Sequence, residues 1–81
     1  MIELREGDLV VSLAIRQEGS KLLLDLELRR EGRLCLKIHE RLSSLEEIKA
    51  LIERPKWLGR ESDELIRRAL KLALEGKHEE A

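Results

Sequence analysis

Apolar and polar residues alternate with a period of two through the first half of the chain, which is the pattern of β-strands with one buried face. A Glu-Gly pair interrupts the alternation three times, at residues 6–7, 18–19 and 31–32. Because glycine takes positive φ at little cost, each pair predicts a tight hairpin turn. We therefore expect a four-stranded antiparallel β-meander in the order 1-2-3-4. Its strands cover about residues 2–5, 8–17, 20–29 and 33–41.

The strand register is predicted by keeping the leucines on one face of the sheet. Two-residue loops at the first two Glu-Gly pairs achieve this, and the first of them places Leu4 opposite Leu9. The third loop has to be odd, because an even loop would oppose Leu28 to Cys35. A three-residue loop at 30–32 instead pairs Leu28 with Leu34 and predicts a bulged turn.

Two amphipathic helices are predicted in the second half of the chain. Residues 43–47, Ser-Ser-Leu-Glu-Glu, contain two overlapping capping boxes and predict a helix start at about residue 44. The residue before Pro55 avoids the α region, which ends this helix at about residue 54. The second helix covers about 61–75, with Gly76 as its C-cap and 77–81 as a frayed tail. Packed on the apolar face of the sheet, both helices complete a single α+β domain over residues 1–81.

The charge balance excludes several functional classes. Charged residues make up 41% of the chain, but the formal net charge is only −1, so nucleic acid or an anionic membrane would meet no bulk attraction. The apolar runs are too short for a transmembrane helix, and the start of the chain lacks the pattern of a signal peptide. We therefore expect a soluble protein, cytoplasmic or recombinant, whose single cysteine makes no internal disulfide.

Cys35 and His39 are the most obvious pair for nucleophilic chemistry. Four residues along one predicted strand separate them by about 13 Å, which is too far for a Cys–His dyad. With His78 they are also the only soft or borderline metal ligands, and their spacing matches no zinc motif. We therefore expect no catalytic function, no cofactor and no metal site.

Apolar residues on the outer face of the sheet, away from the helices, form a candidate partner surface. The same register places Asp25 opposite Lys37 as a cross-strand ion pair on this otherwise solvated face. Trp57 has two interpretations: a plug between helices and sheet, or an anchor for a partner. The candidate partner residues are Val10, Ala14, Leu23, Cys35 and Trp57.

The stretch Leu58-Gly59-Arg60-Glu61-Ser62-Asp63-Glu64-Leu65-Ile66-Arg67-Arg68-Ala69-Leu70 resembles the second helix of ribbon-helix-helix DNA-binding regulators. The similarity extends over about residues 37–76. In that family, the strand before the first helix lies in the major groove and reads bases with alternate side chains. The resemblance therefore implies a dimeric transcriptional regulator that contacts DNA through Lys37, His39 and Arg41.

The chain also resembles computationally designed α+β miniproteins, in its leucine-filled strands, repeated turns and doubled capping boxes. This resemblance implies a stable scaffold or a protein-interaction module. A measured thermal midpoint above about 90 °C would fit the scaffold. The shortage of labile residues fits a thermophile equally well. A protein partner would use the outer sheet face or a sheet edge, and pairing through the first strand would make a homodimer.

Overall fold

Four antiparallel strands form the sheet in the computed structural model, which describes residues 1–76. The predicted tail, 77–81, lies outside the described residues. The strands pair in the order β1-β2-β3-β4, which confirms the predicted meander and its α+β class. Their bounds are β1 (Ile2–Glu6), β2 (Leu9–Glu18), β3 (Lys21–Arg30) and β4 (Arg33–Leu42).

The two C-terminal helices differ in length from the prediction. In place of one helix over 44–54, a 3₁₀ turn at Leu45–Glu47 leads into the short helix α1 (Ile48–Ile52), whereas α2 is long (Arg60–Leu74). The Glu47 carboxylate accepts the backbone N–H groups of Ser43 and Ser44, so the predicted capping serves a tightened first turn. Across residues 1–76 no helix is both long enough and apolar enough to cross a membrane.

The core lies between the inner face of the sheet and the helices. Helix α2 lies against β1 and β2, and α1 packs against α2. The apolar side chains that alternate along the strands meet the apolar stripe of α2, as the two periodicities require. The most completely buried large side chains are Ile2, Val11, Leu13, Leu24, Leu26, Leu28, Ile48, Leu65, Ile66 and Leu70.

The first two hairpins turn one residue later than predicted. Their loops are Gly7-Asp8 and Gly19-Ser20, so Leu4 lies opposite Val11 and not Leu9. Each glycine occupies the first loop position, with φ of 61° and 62°, as is typical of type II′ turns. With glycine at this loop position, the preceding glutamate does not have to adopt a positive φ. The register moves by two residues, so every side chain keeps its predicted face.

The third hairpin keeps most apolar side chains of β4 on the inner face without the odd loop that was predicted. Its loop is the two-residue pair Glu31-Gly32, with φ of 51° and 80°, and the predicted three-residue loop is wrong. A register shift between Leu28 and Arg29 then leaves Cys35 without a partner in the ladder. This β-bulge brings Leu36, and not Leu34, opposite Leu28, because one extra residue on β4 restores the apolar side chains to the inner face.

Deleting Cys35 is expected to leave the fold intact, at a cost of about 1 kcal/mol or less, because every other residue of β4 keeps its partner. Deleting Asp25 should prevent folding, since β3 is paired on both sides and half of its side chains would change face. Urea unfolding, followed by the fluorescence of Trp57, measures both variants. Equal losses from the two deletions would contradict the assignment of the bulge.

Candidate functional site

The outer face of the sheet carries rows of charged side chains that the register pairs across strands. Asp25 contacts His39, and Lys37 Nζ lies 4.0 Å from a carboxylate oxygen of Glu27. The predicted Asp25–Lys37 pair is therefore wrong, because the shorter third loop and the bulge each shift β4 by one residue relative to β3. Glu27 also accepts a hydrogen bond of 2.9 Å from Arg29. These partly exposed charges neutralise one another within the sheet.

The structure does not gather the predicted partner surface into one patch. Val10 and Ala14 are half-buried and have different neighbours on β3, namely Arg29 and Asp25. Leu23 is only 4% exposed, which corrects its assignment as an accessible contact. The register places it between Arg16 and Arg41, whose long aliphatic stems can cover it.

Cys35 is exposed at the bulge of β4 and its thiol lies 3.5 Å from the carbonyl oxygen of Arg33. The bulge also turns Leu34 to the outer face, where this side chain is 50% exposed beside Arg29. No group of three or more metal-ligating side chains occurs among residues 1–76, and His78 lies beyond this range. The outward position of Leu34 was not predicted, because apolar residues alternate through β4 without a break at the bulge.

Lys37, His39 and Arg41 lie on the same face of β4, because they alternate along the strand. Each is close to an acidic side chain: Glu27 and Asp25 on β3, and Glu18 on β2, whose carboxylate is 3.9 Å from Arg41. Strand β4 pairs with β3 along most of its length. The DNA-contact role of these three residues stays a prediction.

Trp57 lies in the connector between the helices and packs against the core, as its interpretation as a plug requires. The Arg54 guanidinium lies 4.1 Å from the centre of its ring, a cation–π contact. Its indole N–H is buried and has no hydrogen-bond partner among the described residues. The ring is half-buried against the core, and its role as an anchor for a partner stays a prediction.

Asp63 on α2 holds this connector in place. Its carboxylate accepts the backbone N–H groups of Leu58, Trp57 and Gly59, at 2.8, 2.9 and 3.2 Å. Burial by itself would raise the pKa of Asp63. The three N–H groups, together with the Arg67 guanidinium, outweigh burial and lower this pKa below the ordinary value of 3.8.

Arg67, one helical turn after Asp63, binds the other end of the connector. Its guanidinium donates to the carbonyl oxygens of Ile52, Arg54 and Pro55, at 3.1, 2.6 and 3.0 Å. These hydrogen bonds satisfy carbonyl groups at and just beyond the C-terminal end of α1, where a helix has no internal donors for them. Sequence reasoning missed this function of Asp63, although a signal exists: Asp63 occupies the apolar stripe that continues through Ile66 and Leu70.

The two edges of the sheet differ in how they are protected against pairing with another strand. The β4 edge carries the bulge at Cys35, and Glu40, an exposed charge, occupies the inner-face row between Ile38 and Leu42. Bulges and inward-pointing charges are devices that prevent strands from adding at an edge. The β4 edge therefore carries two features that disfavour the addition of a regular strand.

The β1 edge has neither device along its central residues. All five residues of β1 pair with β2 in unbroken register. Glu3 and Arg5 lie on the outer face, beside Ser12 and Val10, and neither makes an ion pair within the described part of the chain. Leu4, on the inner face between them, is half-buried at the border of the sheet. This five-residue strand presents an edge without a bulge.

Comparison with protein-family models, with curated proteins and with solved structures finds no match to this chain. Its function has to be inferred from its own residues.

Proposed function

We propose that this chain is a protein-interaction domain, without catalytic activity, that accepts an additional β-strand at its β1 edge. The observation that carries the proposal is the difference between the two sheet edges. A bulge and an inward charge protect β4, whereas β1 pairs with β2 without interruption and presents a regular edge. Strand addition is a common mode of peptide recognition, in which main-chain hydrogen bonds supply much of the affinity.

The backbone groups available at this edge follow from the hairpin. In a two-residue hairpin, the pair that flanks the loop, here Glu6 and Leu9, exchanges both hydrogen bonds. Hydrogen-bonded and non-hydrogen-bonded pairs then alternate along the strand. The N–H and C=O groups of Leu4 therefore point to β2, and those of Glu3 and Arg5 point outward.

The edge is also held in position before any partner arrives. Ile2 is 1% exposed in the core, and helix α2 lies against β1. Glu6, at the other end of the strand, forms an ion pair of 3.3 Å with Arg68 of α2. An edge fixed at both ends loses little conformational entropy when it binds, which favours association.

A synthetic peptide with the sequence of residues 1–8, acetylated and amidated, tests the proposal. In an NMR titration of the full chain, we expect the amide signals of Glu3 and Arg5 to shift and those of β4 to stay in place. The control is the same peptide N-methylated at its third and fifth residues, which removes the donors that the ladder needs. Equal shifts from both peptides, or shifts confined to β4, would overturn the proposal.

A proline substitution tests the same edge from the side of the protein. In Glu3→Pro only an outward N–H is lost, so the chain should stay folded and its peptide-induced shifts should fall at least tenfold. Leu4→Pro is the matched variant, and it should lower the free energy of unfolding by about 3 kcal/mol, because its N–H pairs with β2. Undiminished peptide binding by folded Glu3→Pro would exclude strand addition at β1.

A further inference from the structure

We infer that the strand accepted at the β1 edge is β1 of a second copy of this chain, paired antiparallel about a twofold axis at Leu4. The inference rests on the proposed function and adds the identity of the partner. It follows from the charge pattern of β1, from its unpaired side chains and from the position of α2.

The charge pattern selects one register among those that the backbone allows. Only Glu3 and Arg5 present outward hydrogen-bonding groups within β1, so a twofold pairing has to match these residues with one another. Pairing Glu3 with the partner's Glu3, or Arg5 with the partner's Arg5, opposes like charges. Pairing Glu3 with the partner's Arg5 makes two opposite-charge pairs and satisfies both residues of each copy.

Among residues 1–76, neither Glu3 nor Arg5 forms an ion pair. The neighbours of Glu3 along its row are Ser12 and then Glu27, and those of Arg5 are Val10 and then Arg29. On β4, by contrast, Lys37, His39 and Arg41 already contact acidic side chains of the same sheet. The charges of β1 are thus complementary to those of a second β1.

The inner face of the edge is compatible with the same register. Leu4 lies on the axis and meets the partner's Leu4, which completes the burial of a side chain that is half-buried in one copy. Because α2 contacts both β1 and β2, its axis lies back from the edge. With neighbouring strands about 4.8 Å apart, the two α2 helices would then lie about 10 Å apart on the same side, a normal helix-packing distance.

The β4 edge does not offer an equivalent pairing. In a twofold register of two β4 strands that preserves the faces and whose axis lies between residues 37 and 41, at least one of the basic side chains Lys37, His39 and Arg41 would lie opposite a basic side chain of the second copy. The bulge at Cys35 further interrupts its ladder.

Analytical ultracentrifugation of the full chain, from about 10 μM to 1 mM, tests the inference. A five-residue strand makes a small interface, so we expect a weak dimer with a dissociation constant on the order of 100 μM. Arg5→Glu should weaken it at least tenfold, because both symmetry-related pairs become repulsive. The double variant Glu3→Arg/Arg5→Glu should restore the constant to within about threefold of the original. Arg33→Glu, the same charge change on β4, should have no effect.

A monomer at every concentration would overturn the inference. So would a dimer that Arg33→Glu disrupts, or one that the double variant fails to restore. Binding of the peptide of residues 1–8 by a monomeric chain would refute self-association and leave strand addition at β1 standing. If the original chain neither binds the peptide nor dimerises, the proposed function itself is refuted.

Discussion

Replacing Asp63 with Ala is expected to lower the free energy of unfolding by about 2–4 kcal/mol. The substitution leaves the N–H groups of Trp57, Leu58 and Gly59 without their acceptor. Hydrogen bonds to a charged group contribute more than neutral ones, and donors left unpaired on burial add a further cost. Urea unfolding at neutral pH measures the loss. Glu64→Ala, an exposed neighbour on α2, should change stability by about 0.5 kcal/mol or less.

The same carboxylate predicts a dependence of stability on pH. Because folding lowers the pKa of Asp63, its contribution is fully present above the ordinary value of 3.8 and is lost as the pH falls through that value toward the folded pKa. Asp63→Asn keeps one acceptor oxygen but cannot titrate. The difference in stability between the original chain and Asp63→Asn should therefore shrink between about pH 5 and pH 2. A constant difference over this range would show that the carboxylate charge contributes nothing.

Leu26→Ala is expected to lower the free energy of unfolding by about 2–5 kcal/mol. Leu26 is fully buried on β3, where β2 and β4 flank it with Leu13 and Ile38. Neighbours on both sides limit how far the core can collapse into the cavity. A loss of this size is a large fraction of the roughly 5–15 kcal/mol that stabilises a domain, so part of the population should unfold.

Leu34→Ala is the matched control, because it removes the same atoms from the next strand. Leu34 is 50% exposed, on the outer side of the bulge, and its truncation should cost about 0.5 kcal/mol or less. The predicted three-residue loop would instead have placed Leu34 opposite Leu28 in the core. Losses of similar size for Leu26→Ala and Leu34→Ala would therefore contradict the observed register and support the predicted one.

The strand order was predictable from local pattern alone. Alternation with period two identified four strands, and short loops left the meander as the simplest arrangement. The register was not predictable in the same way. A shift by two residues preserves every face, so the hydrophobic pattern cannot distinguish Leu4 opposite Leu9 from Leu4 opposite Val11. The backbone energies of the turns make that choice.

The candidate surface was predicted only in part. The sequence indicated pairing through the first strand, but it did not show which edge would be protected, since the bulge depends on how β4 meets β3. The outer-face residues were assigned as a group, yet the observed register gives Val10 and Ala14 different charged neighbours on β3, and Leu23 is buried. Contacts between distant parts of the chain decide which side chains are exposed, and the residue pattern of a single strand does not predict those contacts.

By itself, the sequence determined the class of the fold, the order of its strands and the face on which most side chains lie. These properties follow from periodicity and turn propensity, which act over a few residues. The tertiary structure decided the register, the bulge at Cys35, the binding of the connector by Asp63 and Arg67, and the difference between the sheet edges. Each of these depends on which backbone groups and side chains find a partner across the fold, a condition that only the assembled chain can satisfy.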